Sequence, residues 1–76
     1  MSARLPVTTS RKVVKALKQA GFFVHHTTGS HSVLRHQLDT TKRVTVPMHN
    51  SDLKVGTLRY LIKQSGLSVE DFIKLL

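Results

Sequence analysis

The 76 residues carry twelve Lys and Arg against four Asp and Glu, a formal net charge of +8, with no cysteine. That length gives one domain with one modest core, the lack of cysteine excludes disulfides and thiolate metal sites, and no apolar run approaches the roughly 20 residues that cross a bilayer. So large a cationic excess attracts polyanions and speeds encounter with them, which puts nucleic acid ahead of an acidic protein partner as the expected ligand.

Residues 1–8 read as an irregular lead-in, with Pro6 interrupting regular structure. They lack the apolar core of a signal peptide, so a cytosolic address is expected. Thr9 or Ser10 is placed to cap a helix over 11–20. There Val13, Leu17 and Ala20, widened by Val14 and Ala16, form the apolar stripe, with Arg11, Lys12, Lys15 and Lys18 opposite. Gly21 suits the helix end. Phe22 to Thr27 is aromatic and β-branched and reads as a strand. A turn at 28–30 leads into a second strand over 32–36, and a polar connection over 37–42 precedes a third at 43–46 that Pro47 closes.

Alternation points Val44 and Val46 inward, whereas the second strand carries one apolar residue on each face. Phe22, Phe23 and Phe72 are expected in the core. A loop over 48–52, with Ser51 or Asp52 as cap, precedes a helix over about 54–65 whose inner residues are Leu58, Leu61 and Ile62. Gly66 ends it, and Ser68 caps a last short helix with Glu70 and Asp71 in its first turn. The expected domain is α+β, with order α-β-β-β-α-α and a three-stranded antiparallel sheet carrying its helices on one face. It is a single domain over 1–76.

Gly29-Ser30-His31 is the candidate functional feature. Gly29 suits a tight turn with positive φ, and the turn places the Ser30 hydroxyl beside the His31 imidazole. Imidazole is the common side chain that gives or takes a proton near neutral pH, so on a cationic surface it points to acid–base chemistry on a phosphodiester. RNA carries its own nucleophile, the 2′-OH. Proton removal there and protonation of the 5′ oxygen cleave it without a metal, and each positioned group contributes about 10²–10⁴ in rate.

Ser30 and the backbone around Gly29 are candidate phosphate contacts. Lys12, Lys15 and Lys18 offer a track along the first helix, and Arg35, Lys42 and Arg43 are expected nearer His31. His36 reads as a strand-end residue held by the backbone, with a second proton-transfer role as its alternative. His25 and His26 are expected on opposite faces of their strand, and His49 as a loop brace. The histidine spacings give no zinc pattern, and no cofactor is expected. Recognition by backbone charge and shape is favoured over base stacking.

Leu5-Pro6, the basic helix, Gly21-Phe22, Gly29-Ser30-His31 with His36 five residues on, Val46-Pro47-Met48-His49, Gly56-Thr57-Leu58 and Ser65-Gly66-Leu67-Ser68 form an ordered set. In that order and spacing the chain resembles HicA toxins over about residues 5–73. The resemblance implies a fold like the double-stranded RNA-binding domain, ribosome-independent cleavage of mRNA, and a HicB antitoxin that covers the active histidine. It maps the catalytic residue onto His31. A non-catalytic RNA-binding module on the same fold is the competing reading. It has no need of a titrating group at His31.

Overall fold

The computed structural model describes residues 4–76; the first three residues of the expected lead-in lie outside the described residues. The chain forms α1 (Ser10–Gln19), β1 (Phe22–Thr27), β2 (His31–His36), β3 (Arg43–Pro47), α2 (Val55–Ser65) and α3 (Val69–Leu75). The strands make one antiparallel sheet in the order β1-β2-β3. This is the α-β-β-β-α-α arrangement read from the sequence. α1 lies against β1 and β3, α2 against β3, and α3 against both other helices, so a helical layer covers one face of the sheet.

The capping residues act largely as their chemistry dictates. Thr9 accepts from the backbone N–H of Lys12 at the start of α1, and Ser68 accepts from Asp71 at the start of α3. α2 departs from expectation. Its cap is Lys54, with no side-chain hydrogen bond, because Ser51 is engaged with His49 and Asp52 pairs with Thr9 in an isolated β-bridge. Gly66 ends α2 in the left-handed region at φ +77.

The core lies between the layers. Phe22, Leu34, Val44 and Val46 from the sheet meet Val13, Ala16 and Leu17 of α1, Leu58, Leu61 and Ile62 of α2, and Phe72 of α3. Phe23 does not join them. Its neighbour Phe22 already faces the core, and consecutive strand residues point to opposite sides. Phe23 is therefore half-buried on the helix-free face, paired with Arg35.

Cross-strand partners share a face, so the register lays out that outer surface. Phe23, Arg35 and Arg43 form one row, His26, Val33 and Thr45 the next, and His31 faces Pro47 at the end. The β1–β2 register slips between Val24 and His26, making His25 the extra residue of a β-bulge. The strict alternation that put His25 and His26 on opposite faces therefore does not hold. The His25 ring instead meets the edge of Phe23 at 6.3 Å. Along the free edge of β3, Gln64 Oε1 of α2 accepts from the Thr45 N–H at 3.3 Å, satisfying a donor that an edge strand leaves open.

The lead-in is tied to the loop after β3. Leu53 N–H donates to the Thr8 carbonyl, Thr9 bridges Asp52, and the buried Ser10 hydroxyl donates to the Pro47 carbonyl at 2.5 Å. These bonds bring the start of α1 beside residues 48–52.

Candidate functional site

His31 begins β2 and is exposed. Thr28 fixes its backbone: the Thr28 hydroxyl accepts from the His31 N–H at 3.1 Å, and the Thr28 N–H donates to the His31 carbonyl at 2.8 Å. This threonine escaped the sequence reading, although a Thr three residues ahead of a strand start is a recognisable hydroxyl–backbone pattern. Gly29 does not supply the positive φ expected of it; among the described residues only Gly21 and Gly66 have one. A Cβ at Gly29 would meet nothing within 4 Å. What this glycine contributes is the absence of a side chain at the rim of the site.

Ser30 Oγ lies 3.0 Å from His31 Nδ1. That contact occupies one ring nitrogen, and Nε2 has no hydrogen-bond partner among the described residues. In the neutral ring with Nδ1–H donating to the serine, Nε2 holds a lone pair and is a base. In the doubly protonated ring Nδ1–H makes the same contact and Nε2–H is an acid. Both forms of proton transfer are open to it.

Beside the turn is an open cleft of about 490 Å³ lined by Thr9, Arg11, Gly29, Met48, His49 and Asn50. The Met48 N–H donates to the Ser30 carbonyl at 2.8 Å, carrying the β2–β3 pairing one step beyond Pro47. Arg11 and Asn50 were not singled out in the sequence, because nothing local shows that the first helix starts beside the loop after β3. His49 braces that loop as expected, with Nδ1 3.1 Å from the Ser51 carbonyl and 3.1 Å from the Ser51 hydroxyl.

The remaining sequence candidates scatter. Arg35 and Arg43 share the outer face with His31 but pair at the far end of β2 and β3, four residues away, or about 13 Å along a strand. They are not its neighbours. Lys42 turns away. Its Cε and Nζ lie 3.5 Å from where a Cβ would stand on Gly66, which places its charge at the C-terminal end of α2, where the helix dipole favours a cation. Lys12 and Lys15 line a separate groove with Gln19, Lys74, Leu75 and Leu76, and Lys18 lies on the last turn of the same helix. That surface belongs to the helical layer, on the side of the molecule opposite the outer sheet face.

His36 is excluded from the site by its partners. Its Nδ1 accepts from the Leu38 N–H at 3.1 Å, so the proton sits on Nε2, which donates to the Ala20 carbonyl at 3.0 Å. The ring also packs edge-on against Phe22 at 5.0 Å. Both nitrogens are occupied, which is the strand-end role read from the sequence.

Among the described residues a single Lys–carboxylate contact falls within 4.0 Å, Lys74 to Asp71 at 3.9 Å, and it is exposed. The cationic excess is therefore not neutralised within the fold. Among the described residues no group of three His, Cys, Asp or Glu could hold a metal ion, and no helix is long and apolar enough to cross a membrane.

The family model described as HicA toxin of bacterial toxin-antitoxin matches residues 10–67. The chain belongs to the HicA toxin family. The match runs from the first residue of α1 to just past the end of α2 and includes the Gly29-Ser30-His31 turn and the loop carrying His49. This HicA protein is thus a toxin of a toxin–antitoxin system, which implies a cognate antitoxin. A comparison with curated proteins finds no match.

Proposed function

We propose that this HicA toxin is an endoribonuclease that cleaves mRNA in the cytoplasm by histidine acid–base catalysis, without a metal, and that a HicB antitoxin neutralises it by covering His31. The observation that carries the reading is the exposed His31 ring, held at Nδ1 by Ser30 with its backbone clamped by Thr28. A residue serving only the fold would have both nitrogens engaged, as His36 does. A residue serving only charge would need no such positioning.

The chemistry follows from the substrate. The 2′ oxygen attacks the adjacent phosphorus, its proton passes to a base, and the 5′ oxygen leaves with a proton from an acid. The products are a 2′,3′-cyclic phosphate and a 5′-hydroxyl. His31 supplies one of these transfers through Nε2. Ser30 and the backbone N–H groups of the turn are candidate partners for the non-bridging phosphate oxygens. DNA, lacking the 2′-OH, is not a substrate by this route.

Arg35 and Arg43, paired on the same face as His31, are suited to bind the RNA backbone leading away from the cut. Phe23 beside Arg35 adds an aromatic surface to that end. An antitoxin that masks this face competes with RNA for the same cations, so acidic side chains are expected in its contact.

The test is cleavage of a defined RNA by purified toxin in EDTA, compared with His31→Ala. Wild type should cut and the variant should lose at least about 10²–10⁴ in rate while keeping its melting temperature. RNA binding without cleavage by wild type would favour a non-catalytic module, and full activity in a folded His31→Ala protein would remove the assignment.

A further inference from the structure

Acid–base cleavage of RNA needs two proton transfers, and a single imidazole held at His31 accounts for one. The structure contains a second imidazole in a matching setting. His49 Nδ1 contacts Ser51 as His31 Nδ1 contacts Ser30, at 3.1 and 3.0 Å. No other histidine among the described residues has a hydroxyl partner on its ring.

The two residues also come from adjoining segments. His31 pairs with Pro47, and Met48 N–H bonds the Ser30 carbonyl. His49 follows directly and lines the open cleft together with Gly29, two residues before His31. Gly29 puts no side chain into that cleft. Arg11 also lines it and is suited to a phosphate held there.

The hydrogen bonds distinguish the two histidines. His49 Nδ1 faces the Ser51 carbonyl, which can only accept, so Nδ1 carries the proton and the neutral ring holds its lone pair on Nε2. That is the form of a base. His31 Nδ1 faces only a hydroxyl, which can accept from Nδ1–H in the doubly protonated ring and leave Nε2–H to donate, the form of an acid.

We propose that His49 is a second catalytic residue, the general base that takes the 2′ proton, with His31 the general acid that protonates the departing 5′ oxygen. The proposal rests on the nuclease reading above. In the step, the 2′ O–H bond breaks as its proton moves to His49 Nε2 and the new O–P bond forms. The P–O5′ bond breaks as the protonated His31 ring passes its Nε2 proton to the 5′ oxygen and becomes neutral. Reversed transfers, or exchange with water, restore both rings, and no other reactant is required.

The experiment uses the intact toxin with two substrates, a normal RNA and the same RNA with sulfur in place of the 5′ bridging oxygen at the cut. A thiolate leaves without an acid. Wild type should show a two-limbed pH profile on the normal RNA. His49→Gln should lose about 10²–10⁴ in rate together with the limb set by the base, and the sulfur substrate should not restore it. His31→Ala should be restored toward wild type by the sulfur substrate.

A merely structural role for His49 would lower the rate and leave both limbs in place. That result, or a wild-type rate in a folded His49→Gln protein, overturns the proposal and leaves the nuclease reading standing. Rescue of His49→Gln by sulfur overturns the assignment of base and acid. A wild-type protein that cuts neither substrate removes both readings together.

Discussion

Replacing Gly21 with alanine challenges the joint between α1 and the sheet at two points. Gly21 has φ +99, and a Cβ there would stand 2.8 Å from His36 Nε2. Forcing an L-residue into left-handed backbone costs about 1–2 kcal/mol. The His36 ring must also retreat, which weakens its hydrogen bond to the Ala20 carbonyl, an interaction of about 0.5–1.5 kcal/mol. Together these destabilise the domain by about 2–3 kcal/mol. In a domain of this size each kcal/mol shifts Tm by about 4–8 °C, so the melt should fall by about 10–20 °C.

The assay is thermal and urea unfolding followed by circular dichroism, with His36→Ala and the double variant completing a cycle. In the His36→Ala background the steric part is absent, so Gly21→Ala should cost less there by at least about 0.5 kcal/mol. RNA cleavage at a temperature where each variant is folded should stay near wild type, because His36 supports the scaffold and does not line the cleft. An unchanged Tm refutes the backbone argument. Equal costs in the two backgrounds refute the steric conflict with His36.

Two basic surfaces on opposite sides of the molecule make separable predictions. With His31→Ala used to prevent cutting, Arg35→Gln with Arg43→Gln should lower the salt slope of single-stranded RNA binding by up to about 1.4, at about 0.7 for each phosphate left without its cation. Lys12→Gln with Lys15→Gln should leave the slope unchanged, read by fluorescence anisotropy. The Thr41 hydroxyl, then its backbone N–H, hold the Asp39 carboxyl below its ordinary pKa. Its stabilising contribution is therefore present above the unfolded value of about 3.9 and is lost as pH falls through the lower folded one. Asp39→Asn should lower Tm near neutrality, where that contribution is present, and its profile should approach that of wild type in the acid window, where the contribution is lost. Ser10→Ala removes the buried donor to the Pro47 carbonyl and should cost about 1–3 kcal/mol, measured by urea unfolding.

Local chemistry made much of this protein legible before its fold was known. The Val13/Leu17 stripe, the alternation of Val44 and Val46, and the caps at Thr9 and Ser68 act through neighbours within one turn or one pleat. Pattern therefore specifies them directly. The adjacency of Ser30 and His31 is likewise a property of neighbouring residues.

Phe22-Phe23 shows where composition misleads: both are apolar, but the pleat gives the core to one and the outer face to the other. The β-bulge at His25, the turning of Lys42 onto the end of α2, and the distance of Arg35 and Arg43 from His31 depend on how the three strands pair. Nothing within a few residues of any of them records that pairing. The cleft is the strongest case, because it joins Arg11, Gly29 and His49 from three separate segments. Arg11 reaches that cleft because Thr8, Thr9 and Ser10 bond the chain from Pro47 to Leu53, and Gly29 because Met48 N–H bonds the Ser30 carbonyl. Short-range patterns set which residues carry chemistry, and long-range hydrogen bonds and register decided which of them face each other.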